Sequence, residues 1–200
     1  MSMSQQFKAR INDLYVSFKK HDDIHKDRLQ RYRNIEPDSA HFLAMQIRIQ
    51  KSKKVLEIGT STGYSTLWLA DALQVTQGQL TTLEIDAVRS QQAQQFAQEF
   101  GLDPLIQFWV GDAKDYLAEC TEKYDLILLD AERDAYVDYW SDLKRLLSKQ
   151  GGVLIVDNVI SHAEEVKAFT HLVKEEGNYL LSTLSLGAGL LVITAKDYDV

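Results

Sequence analysis

Apolar residues in the first fifty positions recur at the spacing of a helix with one buried face. The first such stripe lies within residues 5–33 and consists of Phe7, Ile11, Leu14 and Phe18. Pro37 stands where a second helix can begin, because proline is tolerated in the first turn of a helix. The apolar residues that follow it at helical spacing are Phe42, Met45 and Ile49. Residues 1–50 therefore predict a helical extension.

From residue 51 onward, short apolar runs alternate with stretches of helical spacing. The runs predict five strands, over residues 55–58, 80–85, 105–110, 124–130 and 152–157. The stretches predict helices over residues 64–74, 87–100, 113–120, 134–148 and 162–176. Two further runs, 179–186 and 190–195, are joined by Gly187-Ala-Gly189 and predict a hairpin. Such alternation is typical of a parallel α/β sheet with helices on both faces, and the hairpin adds one antiparallel strand.

The composition fits a soluble globular protein. The 200 residues are 45% apolar and 26% charged, and no linker, repeat or low-complexity tract interrupts them. We therefore expect one domain over 1–200, with the extension at 1–50 and an α/β core at 51–200. Cys120 is the only cysteine, which excludes an internal disulfide and a cysteine-rich zinc site. No apolar run could span a bilayer or serve as a signal peptide, so we expect a cytoplasmic protein without a membrane segment.

The net charge of −7 is unevenly distributed. Residues 1–54 carry twelve Lys and Arg against six Asp and Glu, whereas the remainder is strongly acidic. A basic arm of this kind can bind nucleic acid or another anion. The interpretation that we favour is a solvated helix docked on the acidic body of its own chain or of a partner subunit.

The carboxyl ends of the predicted strands are where a sheet of this class binds ligands. The first strand leads into the run Glu57-Ile-Gly-Thr-Ser-Thr-Gly-Tyr-Ser65, whose glycines let the backbone approach a ligand at the start of a helix. Glu57 suits a ligand's amino group, and Glu84 ends the second strand where an acid accepts hydrogen bonds from ribose hydroxyls. The pair predicts S-adenosylmethionine, a nucleoside with an amino-acid tail. The alternative is a glycine turn that only packs the helix on the sheet.

Two carboxylates and an amide follow the fourth and fifth predicted strands. They belong to Asp130, Asp157 and Asn158. Because parallel strands end at one edge of a sheet, we expect these groups to lie together, and three hard oxygen donors suit Mg²⁺. The alternative is that both aspartates only cap the helices that follow. At the end of the third strand, Asp112 and Ala113 form a turn beside the expected adenine position, which is also an ordinary helix start.

With these residues identified, the chain resembles the metal-dependent class I O-methyltransferases, the family of catechol and caffeoyl-CoA O-methyltransferases, from about Asn34 onward. The run 55–65 resembles the family's cofactor loop, the run 157–162 its metal-binding segment, and the run 185–190 its closing hairpin. The resemblance implies a Rossmann-like fold with a mostly parallel seven-stranded sheet, a homodimer, and methyl transfer from S-adenosylmethionine to a hydroxyl of a small, catechol-like acceptor. The implied metal ligands are Asp130, Asp157 and Asn158, with Mg²⁺ as the expected cation. The expected cofactor-binding residues are Glu57, Gly59, Thr60, Gly63, Ser65, Glu84, Asp112, Ala113, Asp130 and Glu132.

Three positions depart from the family pattern. Asp130-Ala-Glu132-Arg133 stands where the family usually has Asp-Ala-Asp-Lys, and that lysine is the family's proposed base. Arginine stays protonated, so we expect Arg133 to orient the acceptor or to stabilise its oxyanion instead. His162 stands where plant members carry asparagine, and it is the candidate proton acceptor. The alternative is that His162 only caps a helix and that the cation alone activates the hydroxyl. Ala188 replaces an acid found in many members.

Two rival functions follow from other features. The basic arm favours methylation of a nucleic-acid base, but no Pro-Pro-Tyr-type tetrapeptide follows Asp130 or Asp157, and there is no cysteine pair for attack on a base carbon. We therefore do not expect nucleic acid as a binding partner. The replacement of the family lysine by Arg133 favours a non-catalytic S-adenosylmethionine-binding protein.

Overall fold

Seven strands and seven α-helices make up the described part of the chain, residues 5–197 of a computed structural model. The strands are β1 Lys54–Ile58, β2 Gln79–Glu84, β3 Ile106–Val110, β4 Leu126–Leu129, β5 Val153–Val156, β6 Tyr179–Leu184 and β7 Leu190–Ala195. The helices are α1 Gln5–Ile24, α2 Pro37–Gln50, α3 Tyr64–Thr76, α4 Ala87–Glu99, α5 Ala113–Glu119, α6 Tyr136–Leu146 and α7 Ala163–Glu176. Residues 1–4 of the predicted extension and residues 198–200 of the predicted core lie outside the described residues.

The seven strands form one sheet in the order β3-β2-β1-β4-β5-β7-β6. Strands β1 to β5 pair in parallel, and β7 pairs antiparallel with both β5 and β6. The predicted sheet and its closing hairpin are thereby confirmed. The chain builds outward from β1 to β3 and then returns to β4 on the other side of β1. The strand order therefore reverses between β1 and β4, where sheets of this class bind their ligands.

The sheet is buried on both faces by helices. Alternate side chains of β1 serve different cores: Val55 packs with α1, α2 and α3, whereas Leu56 and Ile58 pack with α6 and α7. Every residue of β4 and β5 is buried, as the continuous apolar runs of these strands predict. In the described part of the chain, no helix is both long enough and apolar enough to cross a membrane.

Helix α1 docks on the core through the predicted apolar stripe. Phe7, Ile11, Leu14 and Phe18 are all buried. The Phe7 ring meets Trp68 of α3 edge-on, with 5.6 Å between centroids. At the surface, Arg10 Nε donates to Glu99 of α4 at 2.5 Å. The basic extension thus lies on the acidic body of its own chain, as in the favoured interpretation of the charge distribution.

Several element boundaries differ from those predicted. Helix α1 ends at Ile24 because the Asp22 carboxylate accepts hydrogen bonds from the backbone N–H groups of Tyr32 and Arg33 and draws residues 25–36 into a loop. In α2 the buried face carries Leu43 and Ile47; of the predicted stripe, Phe42 packs against the core, whereas Met45 and Ile49 are exposed. Strand β4 begins at 126, β6 ends at 184, and residues 133–135 form a 3₁₀ turn before α6.

Candidate active site

The loops that follow β1 and β4 nearly touch at the point where the strand order reverses. Ile58 lies opposite Leu129 in the sheet. Gly59 has a φ of +105°, and a Cβ at this position would lie 1.9 Å from the carbonyl oxygen of Asp130. Only glycine fits here. Gly63 has a φ of +88° and lets the start of α3 lie against Ala93 of α4.

A cavity of about 850 Å³ lies over the carboxyl ends of the strands. This volume is that of a small-molecule site. The predicted site residues on its wall are Gly59, Thr60, Ser65, Glu84, Asp112, Ala113, Asp130, Glu132, Arg133, Asn158 and His162. Three predicted site residues, Glu57, Gly63 and Asp157, do not line it. The structure therefore brings most of the predicted residues to one cavity and places these three behind its wall.

Two acids at the ends of β2 and β3 are fixed by the backbone around them. The Glu84 carboxylate accepts hydrogen bonds from the N–H groups of Ser61, at 2.7 Å, and of Asp86, at 3.0 Å. These bonds tie the acid expected to bind ribose to the cofactor loop and hold it at the cavity wall. Asp112 caps α5 by accepting from the N–H of Lys114 at 2.9 Å, and it also lines the cavity. Asp112 can therefore cap the helix and contact a ligand in the cavity at the same time.

Glu57 lies beneath the cofactor loop and is fully buried. Its Oε2 accepts hydrogen bonds from the hydroxyls of Thr66 and Thr82, each at 2.6 Å, whereas its Oε1 has no hydrogen-bond partner among residues 5–197. Burial raises the pKa of Glu57 to about 7, although the hydrogen bonds from the surrounding hydroxyl groups favour the ionised form and lower the pKa in part. The structure thus places this acid below the surface that a ligand's amino group would meet, and the predicted contact with that group remains a prediction.

The two aspartates and the asparagine that follow β4 and β5 meet at the sheet edge. Asn158 Nδ2 donates to Asp130 Oδ1 at 2.9 Å and to Asp157 Oδ2 at 3.1 Å. Burial, with the charge of Glu57, raises the pKa of Asp130 to about 7. Burial, with the charge of Asp130, raises the pKa of Asp157 to about 8. Two carboxylates this close, one buried and the other half-buried, need either protons or a cation.

The donor set of this cluster fits a divalent cation. Asp157 Oδ1 is buried and has no hydrogen-bond partner within the described residues. Among residues 5–197, no group of three or more His, Cys, Asp or Glu residues is placed to hold a metal. The amide of Asn158 lies against both carboxylates, and its oxygen would face them if the amide were turned over, which exchanges Oδ1 and Nδ2. Two carboxylates and an amide oxygen, with room for water, form a set that Mg²⁺ accepts.

Arg133 and His162 lie on the wall beside this cluster. Arg133 is buried, and its Nε donates to Glu165 at 2.7 Å. His162 is the N-cap residue that precedes α7, but its side chain makes no capping hydrogen bond; its Nδ1 pairs with the Ser161 hydroxyl at 2.8 Å. Burial and the neighbouring Arg133 lower the pKa of His162 below its usual value. At neutral pH the imidazole is therefore uncharged and able to accept a proton.

One side of the cavity is formed by residues that the sequence did not place there. The loop between α1 and α2 contributes Arg28, Tyr32 and Arg33 to the wall. Arg28 and Arg33 each donate to Glu132, at 2.6 and 2.9 Å. Although partial burial opposes the change, these two arginines lower the pKa of Glu132, a predicted cofactor contact. The excess of basic residues in the first 54 positions was the only sequence signal for this wall.

Comparison with known proteins identifies the family. The O-methyltransferase family profile matches residues 16–180. Catechol O-methyltransferase from Niastella koreensis is 35% identical over 131 residues, which are 64% of this chain and 58% of that protein. The chain thus spans less than two thirds of that relative's length.

Two crystal structures share the fold. The O-methyltransferase from Bacillus cereus, solved in complex with S-adenosylhomocysteine, has a TM-score of 0.78 at 23% identity and covers 94% of this chain and 91% of its own. TomG from Streptomyces achromogenes, an O-methyltransferase solved with S-adenosylmethionine, has a TM-score of 0.77 at 22% identity and covers 98% and 100%. Because the family profile matches most of the sequence and the sheet is the one predicted, the chain belongs to the O-methyltransferase family.

Proposed function

We propose that this protein transfers the methyl group of S-adenosylmethionine to a hydroxyl oxygen of a small, catechol-like acceptor. The observation that carries this proposal is a single cavity whose wall joins the glycine loop and Glu84 to Asp130 and Asn158. The first set suits the cofactor and the second an acceptor hydroxyl. The name of the Niastella relative supports a catechol, and the ligands of the two solved neighbours support the cofactor.

The cofactor's parts would meet different segments of the wall. Glu84, held by two backbone N–H groups, accepts hydrogen bonds from the ribose hydroxyls. Asp112 and Ala113 lie at the end of β3, next along the sheet, where the adenine would rest. The loop from Gly59 to Ser65 receives the amino-acid tail, because its backbone can approach a ligand closely and α3 begins there.

Asp130, Asp157 and Asn158 would hold a divalent cation. Bound there, such an ion lowers the pKa of an oxygen atom that it contacts and so favours the acceptor's oxyanion. The protein's own part is to supply two neighbouring carboxylates that need a counter-charge, as their raised pKa values indicate. Their position beside the cofactor side of the cavity would bring the acceptor oxygen into line with the methyl group.

The methyl transfer is a single displacement. A lone pair of the acceptor oxygen forms the bond to the methyl carbon while the bond from carbon to sulfur breaks, which gives a methyl ether and S-adenosylhomocysteine. Arg133 cannot take the proton of the hydroxyl group, so its guanidinium would instead stabilise the negative charge on that oxygen. The proton can pass to water in the cavity beside His162, which is half-buried on its wall.

The test is methylation of catechol by the purified full chain. With S-adenosylmethionine and Mg²⁺, we expect 2-methoxyphenol in equimolar amount with S-adenosylhomocysteine, measured by liquid chromatography and mass spectrometry. Excess EDTA should abolish the product and Mg²⁺ should restore it. Asp157→Ala should lose the Mg²⁺-dependent product, whereas Asp13→Asn, which removes an exposed charge from α1, should keep it. Absence of product from the wild type overturns the methylation proposal, and full activity in EDTA overturns the role of the cation.

We also propose that residues 1–200 form one domain that works as a homodimer in the cytoplasm. Light scattering behind a size-exclusion column tests the dimer, for which a mass near 22.8 kDa would be the contradicting result.

A further inference from the structure

The loop of residues 25–36, which we call the basic strap, is fixed in place from several sides. The buried carboxylate of Asp22 accepts hydrogen bonds from the N–H groups of Tyr32, at 2.6 Å, and Arg33, at 2.9 Å. Arg89 of α4 donates to the carbonyl oxygens of Leu29, at 2.6 Å, and Arg31, at 3.1 Å. These four bonds anchor the strap at its middle to α1 and α4.

The strap is also bonded to the cofactor loop. The Ser61 hydroxyl donates to the carbonyl oxygen of Tyr32 at 2.6 Å, and Asn34 Nδ2 donates to the Thr62 hydroxyl at 2.8 Å. Since Ser61 also donates its N–H to Glu84, the strap and the cofactor side of the cavity are parts of one hydrogen-bonded unit. The strap is therefore a wall of the site rather than a loose surface loop.

Arg33 is held in a backbone conformation that residues with a Cβ disfavour. Its φ is +55°, in the left-handed region. The two hydrogen bonds to Asp22 maintain this conformation, and its consequence is that the Arg33 side chain lies on the cavity wall beside Glu132. Strain that is kept in place by a buried acid is typical of functional sites.

The cavity wall near Asp130 and His162 carries three guanidinium groups, each paired with a carboxylate. Arg28, Arg33 and Arg133 line the wall, with Glu132 paired to the first two and the exposed Glu165 to the third. A guanidinium group offers five N–H donors, of which these pairs use only a part. In the described chain, Arg33 Nε is buried and has no hydrogen-bond partner. Burial lowers the pKa of His162, and the charges of all three arginines lower it further, whereas the charge of Glu165 raises it. This is expected of a positive potential at the cavity mouth.

We propose that Arg28 and Arg33 recognise an anionic group on the acceptor, so that the substrate class is a catechol bearing a carboxylate side chain. The inference rests on the proposed function and deepens it. A carboxylate can accept two parallel hydrogen bonds from a guanidinium group, and the pairs with Glu132 leave most of the N–H donors of Arg28 and Arg33 unused. Glu132 keeps the two arginines together on the wall, and Asp22 fixes the backbone that carries one of them.

The test compares two ligands that differ only in charge. These are 3-(3,4-dihydroxyphenyl)propanoate and the corresponding amide, titrated calorimetrically into the wild-type chain with S-adenosylhomocysteine and Mg²⁺ at neutral pH. We expect the propanoate to bind about tenfold more tightly, the range of one charge-assisted hydrogen bond. Raising NaCl from about 0.05 M to about 0.5 M should weaken the propanoate and leave the amide nearly unchanged.

Variants of the two arginines distinguish recognition of the carboxylate from a role that is only structural. In Arg33→Gln and Arg28→Gln the ratio of the two affinities should fall to within about threefold. Arg10→Gln, which removes an arginine that pairs with Glu99 away from the cavity, should retain the wild-type ratio. Equal binding of the two ligands by the wild type, or an unchanged ratio in the strap variants, overturns the proposal. A carboxylate preference without any methylation of catechol would overturn the proposed function and leave this inference standing, whereas methylation without that preference would do the reverse.

Discussion

Replacing Glu57 by glutamine should make the protein's stability less dependent on pH. The carboxylate is fully buried, and one of its oxygens is unpaired within residues 5–197. Its pKa is raised from an ordinary 4.5 to about 7, first of all by burial. Between these two values the folded protein binds more protons than the unfolded chain does. The free energy of unfolding contributed by Glu57 is therefore fully present below about pH 4.5 and is lost as the pH rises to about 7.

The size of this loss follows from the pKa difference. Each pKa unit corresponds to about 1.4 kcal/mol, so ionisation of Glu57 costs about 3 kcal/mol of stability by pH 8. The pKa values of Asp130 and Asp157 are also raised, to about 7 and about 8. The free energy of unfolding of the wild type should therefore fall with rising pH by more than the Glu57 contribution alone. Glu57→Gln removes the Glu57 contribution and also the part of the Asp130 shift that the Glu57 charge causes, which acts in the same direction. Because the amide also changes packing and hydrogen bonding, the informative quantity is the change between two pH values, not the stability at either.

The assay is urea denaturation of the full chain in EDTA, at about pH 5 and about pH 8, followed by tryptophan fluorescence. Between these two pH values the free energy of unfolding should fall in both proteins, and we expect the fall to be about 3 kcal/mol smaller in Glu57→Gln than in the wild type. Glu99→Gln is the matched control, since that glutamate is exposed and pairs with Arg10. An equal pH dependence in wild type and Glu57→Gln would refute the reasoning, because Glu57 would then ionise as easily in the folded protein as in water.

The remaining predictions concern the two sides of the cavity. Glu84→Ala should weaken S-adenosylhomocysteine binding by roughly tenfold or more, since charge-assisted hydrogen bonds to ribose are lost; unchanged affinity in calorimetry would remove Glu84 from the cofactor site. Asp157→Asn should weaken Mn²⁺ binding, measured by electron paramagnetic resonance, while S-adenosylhomocysteine affinity changes little, and undiminished Mn²⁺ binding would contradict the ligand assignment. Arg133→Lys and His162→Ala should each leave turnover within a few-fold if the cation alone activates the hydroxyl. A loss of about 10²–10⁴-fold in His162→Ala, with intact metal and cofactor binding, would instead identify His162 as the general base.

Local patterns in the sequence predicted most elements of the fold. The stripe from Phe7 to Phe18 is buried because a helix turns every third or fourth residue to the same side, whatever that side packs against. Glu84 and Asp130 could be assigned to one edge from sequence, since parallel strands present their carboxyl ends together. The family resemblance, now confirmed, supported the metal ligands that the strand ends had already indicated and added the expected acceptor; both remain proposals.

The features that the sequence missed depend on contacts between distant segments. Glu57 precedes the cofactor loop, as expected of a ligand-binding acid, yet Thr66 and Thr82 draw its carboxylate beneath that loop. No periodicity marks residues 25–36, and their place on the cavity wall is decided by Asp22 and Arg89, whose hydrogen bonds form only in the folded chain.

The sequence by itself thus determined the parallel sheet, its closing hairpin and the set of chemical groups at the sheet edge. Spacing along a chain controls which residues share a face or an edge, because helices and strands have fixed periods. Only the tertiary structure decided which acids line the cavity and which lie behind its wall, and that the basic strap forms one side of it. Burial and hydrogen bonding between distant segments set those outcomes, and they are properties of the packed molecule rather than of any local run of residues.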